Sequence, residues 1–169
     1  ISADGRTISG NAQGPGAQGQ GWVARLPTPV PATRDFNADN KSDILWRHTS
    51  GATAQWTMNG PNVIANPVIA NVPPDWTLAG TGDFNGDGKA DIVWRHASGA
   101  TAIWFMNGAA VTSNPVIANV PSDWTLAAIA DLDGDKKADI VWRHASGATA
   151  IWFMNGAAID RKSTRLNSS

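Results

Sequence analysis

Three stretches, DFNADNKSD from Asp35, DFNGDGKAD from Asp83 and DLDGDKKAD from Asp131, recur at a spacing of 48 residues. Their surroundings recur as well. ADIVWRHASGATAIWFMNGAA occupies residues 90–110 and again 138–158, and NPVIANVP occupies 66–73 and 114–121. A repeat of this length is one supersecondary unit that cannot bury its apolar face alone, so its copies must stack on one another. That requirement limits the fold more than any single residue does.

Within one unit the turn signals separate four strand-like runs. WTLAGTGDF (76–84) leads into the acidic loop, DIVWRH (91–96) closes at Ala97-Ser98-Gly99, and ATAIWFM (100–106) closes at Asn107-Gly108, a strong hairpin signal. The fourth run is AAVTSNPVIANV (109–120), whose start Pro115 restricts to an edge. The wider composition agrees. All fourteen acidic residues are Asp, which favours turns and caps, and none is Glu, which favours helix interiors. Four antiparallel strands per unit is the pattern of a β-propeller blade. A closed propeller needs about four to eight blades, so the expectation is an all-β partial propeller, an open arc of about three blades.

The repeat also sets the expected boundaries: blade one at 35–75, blade two at 76–123 and an incomplete blade three at 124–159. Before blade one, Thr28 stands where the other units have Trp76 and Trp124, inside LPTPVPAT. Residues 27–34 therefore read as a Pro-rich linker or a poor first strand. Residues 1–26 have strand-like ends around a Gly/Gln-rich middle; they resemble the last unit of the HAF family of extracellular repeats and read as the end of a preceding β-repeat. DRKSTRLNSS (160–169) has no counterpart in the other units and reads as the in-frame translation of a sequencing-adapter string. On that reading the tail is artefactual, and blade three lacks its fourth strand.

Ten of the fourteen Asp lie in the three acidic loops. Packed carboxylates repel one another unless a cation or a proton relieves them. A hard cation such as Ca²⁺ takes about six to eight oxygens, and a loop supplies them from alternate positions, with a flexible sixth residue and a seventh that offers its carbonyl. The candidate ligands are Asp35, Asn37, Asp39, the Lys41 carbonyl and Asp43 in the first loop; Asp83, Asn85, Asp87, the Lys89 carbonyl and Asp91 in the second; Asp131, Asp133, Asp135, the Lys137 carbonyl and Asp139 in the third. Each loop is expected to take one Ca²⁺. The bland alternative is an ordinary Asp/Asn/Gly turn, but three copies in one register favour the metal. Position 6 is Asn40, Gly88 or Lys136, and Lys136 should carry backbone strain. Position 12, where an EF-hand has its bidentate Glu, holds Trp46, Trp94 or Trp142 inside a strand-like run. The loop is thus a connector between strands, and the helices that an EF-hand or dockerin needs are missing.

Asp-x-Asn-Gly-Asp-Gly-x-x-Asp followed by Ile-Val-Trp at blade length resembles the FG-GAP-like or VCBS repeat family, over residues 35–159. That resemblance implies integrin-α-type propeller blades with calcium loops between the first and second strands. The literal Phe-Gly and Gly-Ala-Pro signatures are absent, so it implies the fold and the loop ligands rather than a particular binding specificity.

Other repeated residues have structural readings. The Trp residues are expected to fill the spaces between blades, although aromatic rings also stack on sugars, and some fungal lectins of this propeller family bind glycans between blades. His48, His96 and His144 read as strand-end polar residues binding a backbone carbonyl. Arg47, Arg95 and Arg143 read as solvated or paired with loop carboxylates. No GxSxG elbow, HExxH or phosphate loop occurs, so the chain is read as no enzyme. A formal charge of −1 argues against a nucleic-acid partner, and no apolar run is long enough to span a bilayer. The expected function is a calcium-stabilised module at the cell surface or outside the cell, for adhesion or for binding a glycan or cell-surface protein. The alternatives are a scaffold or appendage of a secreted enzyme and a structural spacer. Open blade edges are expected to invite self-association.

Overall fold

The structure, a computed structural model, describes residues 7–12, 20–25 and 34–165. β1 (Thr7–Ala12) and β2 (Gln20–Arg25) form an antiparallel hairpin within a separate compact unit, residues 1–31. Everything else belongs to a second unit. The expected linker lies outside the described residues except for its last position, Arg34, and so do the last four residues of the tail.

The second unit is all-β and follows the 48-residue period. Its first sheet contains β3 (Ile44–Arg47), β4 (Ala52–Asn59), β5 (Asn62–Ala65) and β6 (Val68–Asn71). The second contains β7 (Trp76–Gly82), β8 (Asp91–His96), β9 (Ala100–Asn107), β10 (Ala110–Ser113) and β11 (Val116–Asn119). The third contains β12 (Trp124–Ala130), β13 (Asp139–His144), β14 (Thr149–Asn155) and β15 (Ala158–Arg165). All pairings are antiparallel, and none of the sheets closes into a barrel. These are the blades of an open, partial β-propeller.

Two expectations need correction. The fourth run is not one strand in blade two: β10 and β11 both pair with β9, on either side of Asn114-Pro115. Proline has no N–H to give the ladder, so pairing lapses there and resumes after it. Blade three, expected to lack a fourth strand, has one. β15 pairs with β14 from Ala158↔Asn155 to Arg165↔Thr149, so the tail through Arg165 completes the sheet as a single strand. No proline interrupts it, and extended backbone of almost any composition can satisfy an open strand edge.

The core lies between the sheets. Phe36 and Val72 of blade one pack with Ile92, Trp94 and Met106 of blade two. Phe84, Val93 and Ile103 of blade two pack with Ile140, Trp142 and Met154 of blade three. Successive residues of β8 thus serve opposite seams, Ile92 and Trp94 on one side and Val93 on the other, as the two-residue strand period requires. At the second seam the inner strands approach so closely that a Cβ on Gly82 would stand 2.6 Å from Ile129 Cγ2 and 2.7 Å from Ala138 Cβ.

Candidate metal centre

Each acidic loop joins a blade's first-strand position to its second strand, and the Asp that opens it shapes its backbone. Asp83 Oδ1 accepts the Gly86 N–H (2.7 Å) and the Asp87 N–H (3.2 Å), while Oδ2 accepts the Gly88 N–H (2.8 Å). Asp35 gathers the N–H groups of Asn37, Asp39 and Asn40, and Asp131 those of Gly134 and Lys136. Such a tight wrap needs left-handed backbone. At position 6, Asn40, Gly88 and Lys136 have φ of 62°, 82° and 70°, as the motif predicts. Position 4 is left-handed too, at Ala38 (62°), Gly86 (77°) and Gly134 (85°), which the sequence reading missed although Gly recurs there.

Position 9 has two tasks. Asp91 is fully buried; its Oδ2 accepts the Phe84 N–H (3.0 Å) and its Oδ1 the Met106 N–H (2.9 Å). Asp43 makes the same pair of bonds with Phe36 and Met58, and Asp139 with Leu132 and Met154. This carboxylate therefore clamps the loop to the third strand, whatever else it binds. Burial pushes the Asp91 carboxyl up to about 7; the two N–H bonds oppose the shift, and the Asp87 and Asp83 charges add to it. A cation beside it would favour the ionised form.

Position 5 turns toward position 7. Asp87 Oδ1 accepts the Lys89 N–H (2.8 Å), with the Lys89 Nζ 3.7 Å from Oδ2, and the pairs Asp39–Lys41 and Asp135–Lys137 repeat this. The side-chain bond from Lys41 holds the Asp39 carboxyl below its ordinary value, and the backbone bond from Lys137 does so for Asp135.

The residues present fit a cation in the third loop. Asp131, Asp133 and Asp139 each place one carboxylate oxygen so that all lie within 4.8 Å of one another. Oxygens about 2.3–2.6 Å from a shared Ca²⁺ stand at most about 5 Å apart. Asp135 is not part of this group. Among the described residues no other loop gathers three carboxylates, because position 3 there is an amide, Asn37 or Asn85. Arg161, in the tail strand, donates to Asp133 Oδ2 at 2.6 Å and already supplies one positive charge to the cluster.

The loops also join blades. Asp35 O accepts the Ala90 N–H (2.6 Å) and Phe36 O the Gly108 N–H (2.8 Å); Asp83 O and Phe84 O accept those of Ala138 (2.6 Å) and Gly156 (2.9 Å).

The readings of Arg47, Arg95 and the histidines need correction, whereas Arg143 is exposed, as expected. Arg95 donates to Gly99 O and Thr101 Oγ1 in its own blade and to Val120 O, Pro121 O and Trp124 O along the link to blade three. Its guanidinium lies over the Trp142 ring, 5.0 Å from the centroid. Arg47 likewise bonds Val72 O, Pro73 O and Trp76 O and lies over Trp94. Neither pairs with a loop carboxylate: a guanidinium forks across several acceptors, and the inter-blade link offers carbonyls. His96 Nε2 meets Asp75 Oδ2 (2.6 Å) and its Nδ1 meets Ser98 (2.7 Å to Oγ), and His144 does the same with Asp123 and Ser146. The histidines therefore bind side chains rather than carbonyls. The serine N–H also donates to Nδ1, which makes the group a turn brace.

Trp94 and Trp142 are buried as expected, whereas Trp46, their counterpart on blade one, is 48% exposed; neither buried indole N–H has a partner. Each lines a cleft with the Trp that follows it on the third strand: Trp94 with Trp104, and Trp142 with Trp152 around about 180 Å³.

Sheets of this order, stacked through Trp and Arg and joined by acidic loops, define a propeller-blade repeat. A family model described as FG-GAP-like repeat matches residues 35–94 and again 83–142, and the chain belongs to that family. No curated protein and no solved structure matches it. Among the described residues no helix is long and apolar enough to cross a membrane.

Proposed function

We propose that this chain is a calcium-stabilised propeller module that works outside the cell or on its surface, is not itself catalytic, and binds a carbohydrate or protein partner in adhesion. The reading is carried by the position of the loops. Each of the first two accepts hydrogen bonds from the next blade through its own backbone, so a cation held by its carboxylates would stiffen a seam as well as a loop. Bound Ca²⁺ would supply charge neutralisation and a fixed coordination shell. Asp131, Asp133 and Asp139 would hold it in the third loop, with the Lys137 carbonyl, and the corresponding residues would do so in the others. Extracellular modules of this kind bind calcium at about 10⁻⁴ to 10⁻³ M, concentrations met outside cells.

The paired tryptophans favour a binding role over a pure spacer. Each seam cleft sets tryptophan rings beside asparagines, Trp104 with Asn71 and Asn114 in the first and Trp152 with Asn119 in the second, a lining that suits a hydroxyl-bearing ligand. Calorimetry with calcium should find up to three sites, and Asp131→Asn with Asp133→Asn should remove one of them. Unchanged stoichiometry would count against the metal reading. For the partner, binding on a glycan array that disappears with EDTA is expected; no binding in saturating calcium would leave the spacer alternative.

A further inference from the structure

The two seams inside the molecule are built from the same contacts in the same direction. An Arg of one blade lies over a Trp of the next, Arg47 over Trp94 and Arg95 over Trp142. A loop aromatic of the first blade is sealed in the seam, Phe36 or Phe84, both 0% exposed. Two loop carbonyls accept the N–H groups of position 8 and of the hairpin glycine in the next blade.

Among the described residues each of these contacts is left half-made at the two ends of the arc. On blade three, Arg143 is exposed and among the described residues keeps only Thr149 Oγ1 as an acceptor, and Leu132, in the place of Phe84, is 45% exposed. On blade one, Trp46, in the place of Trp94, is 48% exposed, against 1% for Trp94 and Trp142. Ser42 and Gly60, which correspond to the donors Ala90 and Gly108, are exposed as well. Blade three thus offers the cation, the apolar side chain and the acceptors; blade one offers the ring and the donors.

We propose that these faces dock on each other between two copies of this chain, with blade three of one copy against blade one of the next and Arg143 over Trp46. The interface continues the internal seam, whose chemistry it repeats, and it does not depend on whether the loops bind a cation. Because the two faces differ, the contact is heterologous; it grows head to tail and ends in a ring where the rotation closes.

The test is sedimentation velocity on the full chain from micromolar to submillimolar concentration. Concentration-dependent association is expected, and Arg143→Glu or Trp46→Glu should each weaken it by at least about tenfold, with circular dichroism confirming that both variants fold. Mixing the two variants supplies one intact pair of faces, so a one-to-one dimer that grows no further is expected. A monomer across the whole range, or association that survives both substitutions, would overturn the proposal. So would a mixture that fails to recover the dimer. Should either substitution unfold the chain, Arg143→Ala and Trp46→Leu replace them, with the same outcomes read.

Discussion

Blades two and three are identical in sequence from 90 to 110 and from 138 to 158, yet Arg95 and Arg143 have different surroundings. Arg95 reaches five acceptors and an indole face, whereas Arg143 is exposed and reaches one hydroxyl among the described residues. The clamp carboxylates of the same two blades do not differ: Asp91 and Asp139 hold the same two backbone N–H groups at nearly the same distances. A contact closed within one unit is therefore set by that unit's sequence. A contact closed across a seam depends on the neighbouring blade.

This comparison can be broken most directly at the clamps. Asp91→Ala and Asp139→Ala should each cost about 3 kcal/mol, because each leaves two N–H groups without a partner. The losses should match and persist in EDTA, as read by urea unfolding; a large difference between them would show that the clamp depends on its neighbours. The result also determines which variants can report on calcium. Removing position 9 destabilises the blade with or without metal, so Asp131 and Asp133 are the cleaner probes.

The arginines should behave in the opposite way. Arg95→Ala is expected to cost about 2 kcal/mol by stranding the link carbonyls, and Arg143→Ala less than about 0.5 kcal/mol as an exposed substitution. Unfolding at low protein concentration would show it, and equal losses would mean that the seam contributes nothing to Arg95. A smaller effect, about 1–2 kcal/mol, is expected for Gly82→Ala, whose new methyl would overlap Ile129 and Ala138. Ile129→Val alongside it should recover part of that loss in a thermal melt.

The smallest effect concerns the third loop alone. Lys136 is held at φ 70°, and Lys136→Gly should gain about 1 kcal/mol by relieving the left-handed strain. Gly88→Lys in the second loop should lose a similar amount. If the two changes do not mirror each other, the loops are not equivalent frames.

Much of the blade was legible because its signals are local. Asp91–His96 emerges as the strand that DIVWRH announces, and Asn107-Gly108 turns the chain where expected. The left-handed position 6 of each loop was equally readable, since Asn and Gly tolerate that backbone and the motif spacing locates it. The position-5 carboxylates were harder to read: spacing aimed Asp87 at a cation, but it cannot show that the Lys89 N–H two residues on donates to its Oδ1. Arg95 was misread because its acceptors lie as far as 29 residues away, along a link whose path no local pattern describes. The fourth strand of blade three was missed for a related reason. Residues after Ile159 carry no strand periodicity of the repeat, yet the free edge of β14 orders them through Arg165 because backbone pairing is indifferent to side chains.

The sequence by itself determined the period, the blade, the loop scaffold and the oxygen-rich positions along it, since each depends on residues within a few places of one another. Only the tertiary structure decided which carboxylates converge, which are taken up by backbone N–H groups, and which way each seam faces. Stacking units brings residues tens of positions apart into contact, and identical residues then acquire different surroundings according to whether another blade lies beyond them.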